Sequence, residues 1–526
     1  MNKHGSIIAR FMLAIIIMAG LAAGLSADVR LPALIGDHMV VQQDKPIAIW
    51  GWADRGEAVT VLFAGQEKKA VAGADGAWRV VLDPLKAEAA KSPLEMTVRG
   101  AKGPAIVVKD ILVGEVWVCS GQSNMEMNFT WLPSPSPDVL RADHPSMRLF
   151  LVPRRTSDVP KDDVAAKWEV CSPDTARTFS MVAYYFGLEL HKRLGVPVGL
   201  IDTSWGGTRI EPWTPPLGFA AVPEVKSILD GQAAKYAEYQ AALAKALPAW
   251  ETWVRDSRKA VAAKASLPPV PSPGLPANPY NNPQAPTALF NGMIHALTPF
   301  AIRGAIWYQG EANRNDGLFY EKKMEAMIKG WRLAWKLGDF PFYYVQIAPF
   351  DYGYDVETPA IEIPDFLRLA YLWEAQTNAL RIPNTGMAVI TDIADLRDIH
   401  PTNKRDVGYR LSLWARANAY GEKTLVYSGP LYKSMAVEGN LARLSFDHVG
   451  GGLISNDGQP LKWFEIAGED HIFYKADADI AGDTVVVWSP KVPAPKAVRF
   501  AWQQLAVGNL ANKEGLPASP FRTDKW

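Results

Sequence analysis

The stretch Val116 to Met127, VWVCSGQSNMEM, is an apolar run that stops abruptly in a tight turn. Val116, Trp117, Val118 and Cys119 have the length and β-preferring composition of a strand buried on both faces, and Gly121 supplies the turn. Strands buried on both faces belong to parallel sheets covered by helices, which narrows the architecture sharply. Ligands of open α/β sheets collect in the crevice beyond the carboxyl ends of the strands, so Ser123 stands where a nucleophile would. A plainer reading competes with this one. Ser123, Asn124, Met125, Glu126 also fits the capping box S-x-x-E, in which Ser123 would only start a helix and satisfy its orphan amide donors.

From Ile111 onward the same texture repeats. Val113 to Cys119, Val198 to Thr203, Ile302 to Tyr308, Phe342 to Ala348 and Met387 to Thr391 read as strands. Val182 to Leu194, closed by Gly195, and Tyr320 to Lys336 read as helices between them. The fold class is therefore α/β with a parallel sheet over residues 110–420. Residues 28–109 carry short β-prone runs at hairpin-like spacing, Met39 to Gln42, Ile47 to Trp52, Ala58 to Ala64, Trp78 to Leu82 and Leu94 to Val98, and are expected to close as a small β-sandwich. Residues 421–526 return to β signals at Trp463 to Ala467, His471 to Ala476, Asp483 to Trp488 and Ala497 to Trp502, suggesting a second sandwich or strands that complete the first. One insertion, about 227–286, interrupts the α/β region. Ser227 to Lys264 reads as a helix or a helical hairpin broken at Pro248, and Leu267 to Pro286 as a Pro-rich connector; together they form a lid or wall over the site, or a passive spacer.

Residues 1–27 read as a signal peptide, with Lys3 and Arg10 ahead of the apolar Phe11 to Ala22 and a small-residue exit ending at Ala27. An exported protein, periplasmic or secreted, is expected, with no membrane insertion after cleavage because no later apolar run approaches the ~20 residues of a span. Lys plus Arg and Asp plus Glu each total 55, so net charge is zero and a nucleic-acid partner is disfavoured. Oligomeric state is not legible. The two cysteines, Cys119 and Cys171, cannot make a disulfide framework, and Cys119 reads as a small buried hydrophobe. HExxH, paired CxxC and Walker patterns are absent, so no metal or cofactor is expected. The 19 tryptophans and 17 tyrosines suit sugar faces, although cores use them too.

A serine nucleophile needs a base, a group that orients the base, and donors for the oxyanion. Of the histidines, His191 sits in a polar helix end and reads as a dipole partner, His144 as a loop residue, and His295 as a buried, hydrogen-bonded residue. His400 follows the strand MAVIT and an acidic loop holding Asp392, Asp395 and Asp398, so a carboxylate could reach its Nδ1; the plain alternative is a solvated loop histidine. Two other strand ends offer donors. DTSWGGTR carries Gly206 and Gly207, whose bare backbone lets an amide approach a substrate, and WYQGEAN gathers Gln309, Glu311 and Asn313.

The set GQSN, SWGGT, WYQGEAN and DIHPTNK resembles the sialate O-acetylesterase family, within the SGNH class of serine esterases. The likeness runs from MVVQQDKPIAIWGWA through LFNGMIHAL and WEAQ to NLANKEGLPASPFRTD, nearly the whole mature chain. It implies a flavodoxin-like SGNH hydrolase domain joined to β-sandwich modules, acting without cofactor to remove O-acetyl groups from an acetylated glycan. By this resemblance Ser123 is the nucleophile and His400 the base, with the Ser123 amide, Gly206 or Gly207, and Gln309 as oxyanion donors. Asn124, Trp205, Tyr308, Glu311, Asn313 and His295 are the expected substrate contacts, with Trp213 beside them. SGNH enzymes usually place an aspartate three residues before the histidine, where this chain has Arg397. Asp398 is the expected orienting residue, Asp395 its alternative, and a Ser/His dyad helped by a backbone carbonyl the third choice. The class also carries Gly-x-Asn-Asp where this chain has Gln309, Gly310 and Glu311. Acetylated xylan, xyloglucan or pectin remain alternative substrates. Outside the esterases, a glycoside hydrolase using Glu311 with a loop aspartate, or a non-catalytic glycan-binding protein, remains.

Overall fold

The computed structural model describes residues 28–87, 92–353 and 364–526; the signal-peptide reading lies outside the described residues. The centre of the molecule is a mixed α/β unit built on strands β1 (Ile106–Gly121), β2 (His144–Leu151), β3 (Trp168–Cys171), β4 (Val198–Asp202), β5 (Gly304–Tyr308), β6 (Phe342–Gln346) and β7 (Thr385–Val389). Their spatial order is β7-β6-β5-β1-β4-β2-β3, parallel throughout except that β3 runs antiparallel to β2. Strands β4, β5 and β6 are buried at every position, as near-continuous apolar runs require when both faces are covered.

Successive strand residues point to opposite faces, and the neighbours of β6 identify what covers each. On one face Tyr343 stacks on Trp117 at 5.8 Å and lies 6.4 Å from Trp414. Trp414 belongs to α6 (Lys404–Trp414), and Trp117 meets Phe186 of α2 (Met181–Leu194) edge-on at 5.0 Å. On the other face Phe342 meets Trp331 of α4 (Tyr320–Trp335), which with Trp213 sandwiches Trp307. Much of the aromatic content is therefore core: Trp117, Trp213, Trp307, Trp331 and Tyr308 are fully buried.

Strand β1 does not begin at the expected boundary. Its first half pairs with Leu94–Arg99 and Val40–Gln42 of the N-terminal β region, while its second half is the centre of the parallel sheet. The two regions thus share one strand and one apolar core. Glu115, fully buried on β1, pins the junction: it accepts from Gln42 and Gln43 on the N-terminal side, and from Arg303 and Tyr420. Two strands of this sheet, β2 and β3, went unread in the sequence, and His144, expected in a loop, opens β2.

The insertion forms one continuous helix, α3 (Lys226–Ala262), unbroken at Pro248, with Gln232 its only buried residue. Its connector returns to the sheet edge, where the Gln284 side chain donates to the Gly207 carbonyl and accepts from the Arg209 amide. After α6 the chain builds two four-stranded antiparallel sheets that share a second core, with Leu444, Val485 and Val487 from one and Phe464, Ile466 and Phe500 from the other. The closing segment docks on the α/β unit through Ser519 to Gln346 and through Arg522 to Glu374 of α5 (Asp365–Asn378). Cys119 and Cys171 are buried and unpaired. Among the described residues no helix is long and apolar enough to cross a membrane, and no cluster of His, Cys, Asp or Glu is arranged for a metal.

Candidate active site

Because β1, β4, β5 and β7 run parallel, their following loops leave one edge of the sheet together. Strand β1 is also where chain order reverses across the sheet, the position at which a crevice opens. After Gly121, helix α1 (Ser123–Glu126) is a single turn capped by the Gln122 backbone with no side-chain bond. The capping-box reading of Ser123 is thereby corrected. Gln122 instead turns its Oε1 to the amides of Gly310 and Ala312, tying this turn to the end of β5, and the Ser123 hydroxyl faces His400, with Oγ to Nε2 at 2.8 Å.

The acidic loop acts mainly on its own backbone. Asp398 Oδ1 accepts from the His400 amide at 2.8 Å and lies 3.9 Å from Nδ1, too far for a hydrogen bond. Asp395 accepts from the Arg397 amide, and Asp392 is paired with Arg410. Burial and the nearby Lys404 charge hold the His400 imidazole below its ordinary value, against an opposing pull from Asp398. An imidazole so placed is neutral, with a free lone pair, at neutral pH. Asp398→Asn keeps the acceptor for the His400 amide and should lower kcat by less than ~10-fold, whereas a carboxylate bonded to Nδ1 would cost on the order of 10⁴. Steady-state kinetics separates these outcomes.

The expected oxyanion donors divide. The amide of Ser123 opens its helical turn and so has no intrahelical acceptor. Gly207, at φ +72° with open space around it, is exposed beside the site. Gly206 lies close, since a Cβ there would sit 3.3 Å from the Ser123 Cβ, but its amide is spent on Glu126 Oε2 at 2.6 Å. Gln309 faces its neighbours rather than the opening. It is fully buried, both hydrogens of its amide go to the Thr208 carbonyl and Asn313 Oδ1, and its Oε1 accepts from Tyr320.

Several expected substrate contacts are also structural. Asn313 is buried and binds Glu211, Asp316 and the Ile210 amide, so WYQGEAN holds SWGGT in place. Burial alone would raise Glu211, but Lys323 and Arg209 hold it down at about 2, a fixed anion under that loop. Trp213 and Tyr308 are core, and His295 lines a separate cavity of about 670 Å³ with Phe290, Phe300 and Tyr280, without Ser123 or His400. Trp205 stays half-buried at the site edge. Asn124 and Glu311 are buried and bonded to each other at 2.5 Å.

Three residues at the site were not singled out in the sequence. Trp131 is 43% exposed and presents its ring edge-on to His400 at 5.5 Å. Arg154 pairs with Glu126. Lys404, the last residue of DIHPTNK, is buried behind the pair. Only Lys404 lay inside a quoted motif.

Comparison with known proteins decides the relationship. The rat sialate O-acetylesterase is 31% identical over 97% of both chains, and the human enzyme 30% identical over 80% of this chain and 76% of its own. This chain belongs to the sialate O-acetylesterase family. Residues 280–406 match the family described as carbohydrate esterase, sialic acid-specific acetylesterase. The crystal structure of a carbohydrate acetylesterase from Xanthomonas citri aligns with a TM-score of 0.77 at 36% identity, covering 95% of this chain and all of that one. Family membership spans both the α/β unit and the β regions around it.

Proposed function

We propose that this carbohydrate O-acetylesterase works through an acetyl-enzyme on Ser123, with O-acetylated sialic acid as its substrate. The observation that carries the mechanism is the 2.8 Å contact of Ser123 Oγ with His400 Nε2 at the switch point of the sheet. His400 takes the hydroxyl proton, Oγ attacks the acetyl carbonyl carbon, and the developing oxyanion meets the amides of Ser123 and Gly207. His400 then protonates the departing sugar oxygen, and water, activated by the same nitrogen, releases acetate. Asp398 helps through the loop backbone and as a nearby charge. Trp131 and Trp205 flank the opening and offer rings to the sugar.

The finer architecture follows the same reading. Counting only β1, β4, β5, β6 and β7, the strand order supports a flavodoxin-like SGNH domain, with β2 and β3 added at one edge. The two C-terminal sheets around a shared core support a β-sandwich over 421–526, and the N-terminal strands support a smaller one over 28–109. Export follows from the segment 1–27. The glycosidase alternative is weakened because Glu311 is buried, held by Asn124, and pushed by burial toward its neutral form.

The test is acetate release, followed by mass spectrometry, across O-acetylated sialosides, acetylated xylan, xyloglucan and pectin, together with labelling by a fluorophosphonate. Release is expected to be fastest from sialosides, with the phosphonate on Ser123. Faster release from a plant polysaccharide would reassign the substrate, and absent release with an unlabelled Ser123 would leave a binding protein.

A further inference from the structure

The buried cluster behind the Ser123 and His400 pair has no role in the steps above. Asn124 follows the nucleophile directly and is almost fully buried. Its Nδ2 donates one hydrogen to the Ile399 carbonyl at 2.9 Å, immediately before His400, and the other to Glu311 Oε1 at 2.5 Å. Its Oδ1 accepts from Lys404 Nζ at 2.5 Å. The Ile399 carbonyl can only accept, which places Nδ2 on its side and turns Oδ1 toward Lys404.

We infer that Asn124 and Lys404 are positioning residues for hydrolysis: Asn124 locks the nucleophile turn to the base loop, and Lys404 fixes Asn124 while presenting its charge to His400. The inference rests on the Ser123 and His400 reading. Lys404 is costly where it stands. It is buried, and it opens α6, where the helix dipole favours negative rather than positive charge. Its Nζ lies 5.2 Å over the Tyr308 ring and is joined to Glu311 by hydrogen bonds through Asn124. Burial pushes Lys404 down and Glu311 up, each toward neutrality, and Glu311 Oε2 has no partner among the described residues. The charged and titratable groups acting on Lys404 are Glu311 and Asp398, beside His400 itself; those acting on His400 are Lys404 and Asp398, with Ser123 on its Nε2 and the uncharged Trp131 ring at its edge. A positive Lys404 opposes protonation of His400, so the base stays free to lower pH.

The experiment measures kcat and KM for 4-nitrophenyl acetate against pH in the full chain, for wild type, Lys404→Met and Lys404→Gln, with Ser123→Ala as background. Removing the charge should move the acid limb of kcat/KM upward by about 0.5–1 pH unit in both variants. Lys404→Met should also lose kcat on the order of 10-fold or more, with KM within about 3-fold, because the pair is misaligned. Lys404→Gln, which still donates to Asn124, should recover most of kcat but keep the shifted limb. An acid limb that does not move in either variant, an unchanged kcat in Lys404→Met, or failure of both variants to fold would overturn the inference. Undiminished activity in Ser123→Ala would instead overturn the reading beneath it.

Discussion

Replacing Ser123 with alanine is expected to lower acetate release by about 10⁴- to 10⁶-fold while leaving stability within ~1 kcal/mol of wild type. The two halves of that expectation have different physical sources. The rate depends on one oxygen, held 2.8 Å from an imidazole nitrogen kept neutral by burial and by a neighbouring ammonium; without it no acetyl-enzyme forms. Stability is barely touched because the hydroxyl caps nothing: the turn is held by Gln122, which reaches the Gly310 and Ala312 amides, and by Asn124. His400→Ala should be comparably inactive, and the double variant little worse than either, since nucleophile and base act as one unit. Coupled acetate assays and urea unfolding measure the two quantities. Activity in Ser123→Ala within about 10-fold of wild type would remove Ser123 from the reaction.

Legibility in the sequence followed the physics of each segment. Strands β4, β5 and β6 could be read because burial on both faces leaves mostly apolar residues, with Asp202 and Gln346 only at the strand ends, and α2 because its helical spacing ends at Gly195, which adopts φ 66° at the helix C-cap. Strand β2 escaped because His144, Pro145 and Arg148 interrupt its pattern, and the carboxylate that pairs with the buried Arg148 is Asp110, 38 residues away in the chain. The true start of β1 was hidden in the same way: Asp110 adopts φ 54° inside the strand, a kink held by Arg148 and His38 from two other segments. At the site, motifs identified which residues gather but not where their side chains point. Gln309 and Asn313 sit at the expected strand end, yet their amides are consumed by the neighbouring Thr208, Ile210 and Glu211 loop. Hydrogen-bond direction depends on partners from several loops, which no single segment encodes.

Gly121→Ala should damage both stability and rate, destabilising by more than ~3 kcal/mol and lowering kcat by about 10² or more. A Cβ at this position would stand 2.1 Å from the Tyr308 carbonyl oxygen and 2.7 Å from its carbon, and those are backbone atoms of β5 that cannot rotate away. The backbone itself, at φ +146°, lies where L side chains are strained. Nor can β5 retreat cheaply, because the Tyr308 carbonyl accepts from the Gln122 amide and β1 pairs with β5 up to Gly121 itself. Relief therefore requires the turn that carries Ser123 to shift, and a displacement near 1 Å is enough to spoil the approach to His400. Gly231→Ala is the matched control: it sits in the exposed helix α3 with nothing within 4 Å of its Cβ, and should stabilise by up to ~1 kcal/mol without touching kcat. Urea unfolding and kcat for both variants test the pair. A Gly121→Ala protein as stable and active as wild type would mean that the turn has slack, and that the close approach of β1 to β5 is not what aims the nucleophile.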